Sequence, residues 1–422
     1  MSLITLDNGL RIFTLKRDDL RSATLGIWVA SGSVNETEQN NGISHFIEHI
    51  VFKGTDSRTA AEIAEGMDRI GAQVNAYTTK EYTFFYTRAL SYHIEEAADI
   101  LLDMIKNPKL SQDDINTERG VILEEIAMCE DDPGDVCYEL NESSLFKGSS
   151  LSLQILGTKE TVSEIKREDF INHLSRFYVP ERMVIGIGGN FDEDVILEKI
   201  KAYFGENKNT GNPLVATPVP FEKGFYLKKK STEQTHMMLS FKGVALEHDD
   251  LYPLHLCMFI LGTGGSSRLN QRIREQLGLV YSIDAWLGRY LGGGYLAVAM
   301  SLSPDSQETA LRETCKIIKD FAATLTEKEL ETAKEKLISS LIMSREQPHS
   351  KLSSFGHSQL MLSKFIEDDD IINSIKGITL ERIKDTAERY LKLDEAAFTA
   401  VGKVRAKSFY EKIIKDVVKT GE

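Results

Sequence analysis

Four cysteines in 422 residues, Cys129, Cys137, Cys257 and Cys315, form no C-x-x-C pair and no short framework. That spacing excludes a disulfide-stapled scaffold and a thiolate zinc cluster, and leaves buried free thiols in a reducing compartment as the expectation. Long hydrophobic runs are also missing. No stretch reaches the roughly 18 apolar residues needed to span a bilayer, and the opening "MSLITLDNGLRIFTLKRDD" lacks the apolar core of a secretory signal, reading instead as strand, Asn-Gly turn, strand. The expected location is cytoplasmic, unless a targeting segment lies outside this sequence, with no membrane partner. Positive charge is in deficit as well: 50 Lys and Arg stand against 64 Asp and Glu, a formal net charge of -14. Nucleic-acid binders usually carry a basic face, so that class of partner is excluded, whereas basic peptides suit the acidic balance.

Only nine prolines occur, and Pro213, Pro218 and Pro220 fall together in "GENKNTGNPLVATPVPFEKG". This stretch has turn chemistry and no helical period, so 206–222 reads as a linker between one domain at 1–205 and another at 223–422. The halves repeat a plan. "GAQVNAYTTKEYTFFYTRAL" and "GLVYSIDAWLGRYLGGGYLAVAM" both read as hairpins rich in aromatic and β-branched residues. Two long helices follow each hairpin, and aligning Leu110 with Leu325 pairs Ile115 with Leu330, Ile122 with Leu337 and Ile126 with Leu341. Later strands, "ERMVIGIGGNF" and "AAFTAVGKV", complete each copy. The expected fold class is α+β: two homologous domains, each an antiparallel sheet packed with helices.

Within the first half, "GISHFIEHIVFKGTDSRT" carries His45-x-x-Glu48-His49 on a predicted helix over 39–54. At about 100° per residue the two histidines sit roughly 40° apart, so both imidazoles can reach one ion. Glu48 adjoins them on the same face, where a hydrolase needs a base. Imidazole and carboxylate without thiolate favour zinc. Chance produces H-x-x-E-H in on the order of one chain per hundred of this length, and the bland alternative is three polar residues on a helix surface. The helix "DDINTERGVILEEIAMCED" offers the third ligand. With Ile115, Ile122, Ile126 and Cys129 as its buried stripe, Glu118 and Glu125 flank the stripe and Glu124 points away; ordinary salt bridging is the competing role for both. The glycine-rich "LGTGGSSRL" and "YLGGGYL" lack the lysine of a phosphate loop, which excludes a nucleotide role.

"HFIEHIVFKGT" resembles the inverted zinc motif of the pitrilysin and insulinase superfamily, closest to its mitochondrial-processing-peptidase-like branch. The resemblance covers essentially the whole chain. It implies a metal centre of His45, His49 and Glu125, the family glutamate standing 76 positions after the second histidine, with Glu118 supporting the ligands. It further implies one Zn2+ per chain and Glu48 as the base that activates a water on the metal. "NAYTTKEYT" is similar to the family's substrate-binding edge strand, implicating Asn75, Ala76 and Tyr77, for which a plain interior strand is the competing role. "SSRLNQRIREQLGLVYSI" resembles its arginine–tyrosine segment, implicating Arg274 and Tyr281 as catalytic residues that bind substrate backbone and the tetrahedral intermediate at the partner subunit's zinc. The implied activity is zinc endopeptidase action on extended or unstructured peptides inside a chamber, for precursor processing or peptide degradation, in a homodimer. Two other classes compete: a non-catalytic peptide-binding or scaffold subunit, which generally loses the histidines or the base, and a metal-stabilised protein without turnover, whose fourth ligand position would normally be closed by a side chain.

Overall fold

A computed structural model describes residues 1–419, so the last three positions of the expected second domain, 420–422, lie outside the described residues. Two sheets organise the fold. The first runs in the order β1-β2-β6-β3-β5-β4, from β1 (Ser2–Thr5), β2 (Arg11–Lys16), β3 (Ser22–Val29), β4 (Gln73–Thr78), β5 (Thr83–Leu90) and β6 (Met183–Gly189). The second runs β7-β11-β8-β10-β9, from β7 (Phe225–Lys229), β8 (Thr235–Lys242), β9 (Ser282–Tyr290), β10 (Gly293–Leu302) and β11 (Ala397–Gly402). Strand for strand, the second order repeats the first without β1, which supports an internal duplication. Pairing is antiparallel throughout both sheets except for one parallel pair in each, β2 with β6 and β7 with β11. Both parallel pairs join strands far apart in sequence, so no local signal announces them.

Five helices matter for the site and its surroundings: α1 (Ile43–Ile50), α2 (Ala60–Arg69), α3 (Ile94–Lys106), α4 (Gln112–Asp131) and α5 (Pro133–Leu145). In the first unit, alternate residues of the central strands, including Leu25, Ile27, Phe85 and Ile185, face a core closed by Ile43, Phe46 and Ile47 of α1, by Leu101 and Ile105 of α3 and by Ile115 and Ile122 of α4. The opposite face, with Phe13, Trp28 and Phe84, is covered by the helix Pro348–Leu362. In the second unit, Met237, Leu239 and Val298 pack against the helices Leu251–Leu261 and Gln307–Lys319, and α5 packs on β8 and β11. There the buried Asn141 carbonyl oxygen accepts from Ser240 and Thr399 at 2.9 and 3.1 Å.

These packings redraw the expected domain division. One compact unit comprises Met1–Ala127, Leu153–Val215 and Met343–Ile366; the other comprises Met128–Ser152, Ala216–Ile342 and the described residues from Glu367 onward. The sequence division at 206–222 assigned α5 to the first half and Pro348–Leu362 to the second, but each helix buries its apolar face on the other half's sheet. The segment 208–224 has no regular structure, as its prolines and glycines imply. No helix among the described residues is long and apolar enough to cross a membrane.

Glycine placement shows how tightly the covering helix seats. A Cβ on Gly356 would lie 2.3 Å from the ring of Trp28, itself stacked on Phe84. Gly120, on the exposed side of α4, has nothing within 4 Å of a would-be Cβ. Gly356→Ala is therefore expected to destabilise by about 1–3 kcal/mol through overpacking, and Gly120→Ala to stabilise by about 0.5–1 kcal/mol through helix propensity. Urea denaturation midpoints of the two variants should move in opposite directions.

Candidate metal centre

The helix bearing the two histidines is shorter than the predicted 39–54. It begins at Ile43, because Gly42 adopts φ +97° and a Cβ there would meet the Leu156 carbonyl at 2.7 Å. The buried Glu36 carboxylate caps this start, accepting from the Gly42 and Ser44 amides at 2.7 and 2.8 Å and from the Asn41 side chain at 2.8 Å. A carboxylate at a helix N-terminus satisfies amides that have no partner within the helix and opposes the positive end of the dipole. At the other end a 3₁₀ turn, Val51–Lys53, runs into Gly54 at φ +117°. The helix is thus fixed at both ends before any ligand is considered.

Packing of α4 against α1 then brings a remote carboxylate to the histidines. Glu125 Oε2 lies 3.7 Å from His45 Nε2 and 3.7 Å from His49 Nε2. One donor atom from each of the three residues lies within 4.8 Å of the others. The edge of a tetrahedron with ~2.1 Å arms is roughly 3.4 Å, so this donor set matches a single tetrahedral ion with small adjustment. Two imidazoles and a carboxylate, without sulfur, suit catalytic zinc. His45 is nearly enclosed while the Glu125 side chain is 40% exposed, so the triad opens to solvent on one side. Burial, with the neighbouring His49, pushes His45 down to about 3, which keeps its imidazole neutral and able to ligate.

Glu118 is not a flanking residue as the helical wheel implied. Its side chain is buried on the same face as Ile115 and Ile122, with Oε1 3.9 Å from His49 Nδ1 and Oε2 2.5 Å from Lys53 Nζ. Glu124 is exposed, and Cys129, expected in the buried stripe, is only half-buried. Glu48 is half-buried; burial raises its carboxyl above the usual range, against the hydrogen bond that Thr78 Oγ1 donates to Oε2 at 2.6 Å and the pull of His49. Asn75, Ala76 and Tyr77 occupy β4, the end strand of the first sheet, with Asn75 and Tyr77 exposed. The corresponding end strand of the second sheet is partly closed: Thr263 and Asn270 side chains donate to the Ala285 and Ile283 carbonyls of β9, each at 3.0 Å. In the second unit, Arg274 lies in a short π-helix, Asn270–Gln276, and Tyr281 is 76% exposed just before β9.

Four residues escaped the sequence reading. Thr78 stands one position beyond the strand residues singled out, and Lys53 lies one helical turn after His49; spacing could have flagged both. Glu36 and His173 needed the tertiary fold. His173 is buried against the start of α1, with Nε2 2.8 Å from Ser31 Oγ and 3.4 Å from Ser44 Oγ.

The chain matches the insulinase family, peptidase family M16, over residues 11–159 and the domain described as the M16 inactive domain over residues 164–337. It is 36% identical over 397 residues to the uncharacterized zinc protease YmxG of Bacillus subtilis, covering 93% of this chain and 96% of that protein. Against an uncharacterized zinc protease of Mycobacterium leprae it is 33% identical over 393 residues, covering 92% and 88%. The fold is similar to that of an M16 inactive domain from Pseudomonas fluorescens, with TM-score 0.88 at 18% identity over 96% of this chain and 99% of that one. A protease from Helicobacter pylori gives 0.85 at 19% identity over 95% and 99%. The chain belongs to the insulinase family of peptidases, family M16.

Burial, reinforced by Arg176 and Arg182, pushes His173 down to about 3. The folded state therefore holds this ring neutral while the unfolded chain takes up a proton below about pH 6.5, so stability is complete above that pH and falls as the solution is acidified toward 3. Between pH 7 and pH 5 this one group is expected to remove about 2 kcal/mol from the metal-free protein. In His173→Gln the pH-dependent part should shrink by that amount, measured by denaturant unfolding at the two pH values.

Proposed function

We propose that this protein is a zinc endopeptidase that cleaves extended or unstructured peptides, with one Zn2+ per chain held by His45, His49 and Glu125. The observation that carries the reading is the convergence of Nε2 of both histidines on Oε2 of Glu125, with the Glu48 carboxyl coupled electrostatically to His49 and Glu125 beside them. The names of the relatives from Bacillus subtilis and Mycobacterium leprae support it. Zinc, when bound, supplies positive charge that acidifies a water and polarises a carbonyl. Glu48 takes the proton of the attacking water and returns it to the departing amine. Thr78 holds Oε2 of Glu48 at 2.6 Å, which restrains the carboxylate that would take the proton.

Substrate backbone pairs with the edge of β4 around Asn75, Ala76 and Tyr77, displacing the Asn75 side-chain oxygen that accepts from the Ala76 amide at 2.8 Å, so recognition needs an extended chain more than a particular sequence. Exposed Arg274 and Tyr281 bind the substrate backbone and the tetrahedral intermediate at the zinc of the partner subunit, within a chamber formed by a homodimer; the exposure of both side chains supports their availability. The acidic balance favours basic peptides, and the setting is cytoplasmic, in precursor processing or peptide degradation. A non-catalytic peptide-binding subunit is the competing reading.

A quenched-peptide assay paired with metal analysis separates the two. Glu48→Gln is expected to keep zinc and lose cleavage by at least about 100-fold, whereas Glu125→Gln should lose metal and cleavage together. Equal cleavage by wild type and Glu48→Gln would overturn the base assignment, and zinc-loaded wild type inactive on a broad peptide panel would favour the binding subunit. Because Glu48 must be ionised to take a proton from water, activity is expected to fall on acidification as its carboxyl becomes protonated. Thr78→Val removes a hydrogen bond that favours the ionised form, so that acid limb should move upward, read from the pH profile of cleavage.

A further inference from the structure

The cation beside Glu118 has no place in the machinery described so far. Lys53 is half-buried at the end of the 3₁₀ turn that continues α1, and its ammonium lies 2.5 Å from Glu118 Oε2. The Glu118 side chain is 3% exposed. Its other oxygen faces His49 Nδ1 at 3.9 Å, and the opposite edge of the same imidazole presents Nε2 to Glu125. Ammonium, carboxylate, imidazole and metal locus therefore form one line within the first unit.

We propose that Lys53 is a positioning residue for the metal centre: it pins the Glu118 carboxylate against the Nδ1 edge of His49 and so fixes which edge of that ring meets the metal. The proposal rests on the zinc-centre reading above. A carboxylate facing Nδ1 favours the tautomer whose proton is on Nδ1, leaving the Nε2 lone pair for the ion. A carboxylate this deeply buried stays in place only with a counter-charge. Remove the ammonium and Glu118 relaxes from His49, so the ring loses both its orientation and its tautomer.

Direct electrostatics would act in the opposite sense. An ammonium near a divalent cation repels it, so a Lys53 that acted on the ion alone would weaken binding, and its removal would tighten it. The sign of the effect decides between the roles. Loss of a group supporting a ligand typically lowers metal affinity about 10–100-fold, and that is the range expected for Lys53→Met, whose side chain keeps the length and apolar stem. Lys53→Arg keeps a cation in reach of Glu118 and should restore most of the affinity.

The test is Zn2+ affinity by competition with a chromophoric chelator, on full-length wild type, Lys53→Met, Lys53→Arg, Glu118→Gln and the Lys53→Met/Glu118→Gln double variant. Expected are a 10–100-fold loss in Lys53→Met, recovery in Lys53→Arg, and no further loss when Lys53→Met is added to Glu118→Gln, because the lysine acts through that carboxylate. Unchanged or tighter binding in Lys53→Met, or full additivity of the two losses, would overturn the proposal. Should Lys53→Met fail to fold, as judged by metal-free thermal unfolding, Lys53→Gln serves in its place with the same criteria. Wild type that binds no zinc would sink this proposal together with the zinc-centre reading, whereas zinc-binding wild type with unaffected variants sinks the lysine's role alone.

Discussion

Glu125 meets His45 and His49 because two helices far apart in the chain share one apolar seam. Ile43, Phe46 and Ile47 of α1 and Ile115, Ile122 and Ile126 of α4 lie in the same core, and that burial sets the rotation and height of each helix. Polar residues carried on the seam's margin then have little freedom. The donor atoms converge as a by-product of hydrophobic packing, which stabilises the arrangement whether or not an ion is bound. Everything else near the centre, including the Glu36 cap, the Gly42 and Gly54 backbone turns and the Thr78 contact, trims the position of that one helix pair.

Much of this was legible in the sequence. His45 and His49 follow from a four-residue step on a helix, and Glu125 over Glu124 from the isoleucine stripe of α4. The strand and helix order, and its repetition, followed from period-two and helical patterns that sequence displays locally. Partnerships between charged groups were less legible. Nothing in "FKGT" tells that Lys53 meets Glu118, since a lysine one turn after a histidine is usually a solvated surface residue. Glu118 itself looked like a margin residue, because a wheel cannot show that a neighbouring cation allows a carboxylate to enter the buried face. The crossing of α5 and Pro348–Leu362 between the sequence halves was illegible for a different reason: an amphipathic pattern shows that a helix has an apolar face but not which sheet receives it.

Duplication and divergence can be compared strand by strand. Both units keep the hairpin, the long helices and the single parallel pair, yet within the chain the H-x-x-E-H pattern occurs only in the first half. The end strands differ too. β4 keeps exposed residues along its length and has one amide, that of Ala76, held by the adjacent Asn75 side chain, whereas two carbonyls of β9 are occupied by the more distant Thr263 and Asn270. A sheet edge with satisfied carbonyls is a poor template for an added strand. The two copies have thus retained the same packing while dividing the polar chemistry between them.

The crossed membership of the two helices has a consequence for the birth of the molecule. The last strand of the first sheet, β6, ends at Gly189, but the helix that covers Phe13, Trp28 and Phe84 begins only at Pro348. At ~5–20 residues per second the interval is on the order of tens of seconds, during which a nascent amino-terminal half carries an uncovered aromatic face. Such a surface is a target for holdase chaperones and a site of mispairing between neighbouring chains on one messenger. A ribosome stall or a truncation before Met343 would release a half that has the helix bearing His45 and His49 but not the roof of its sheet.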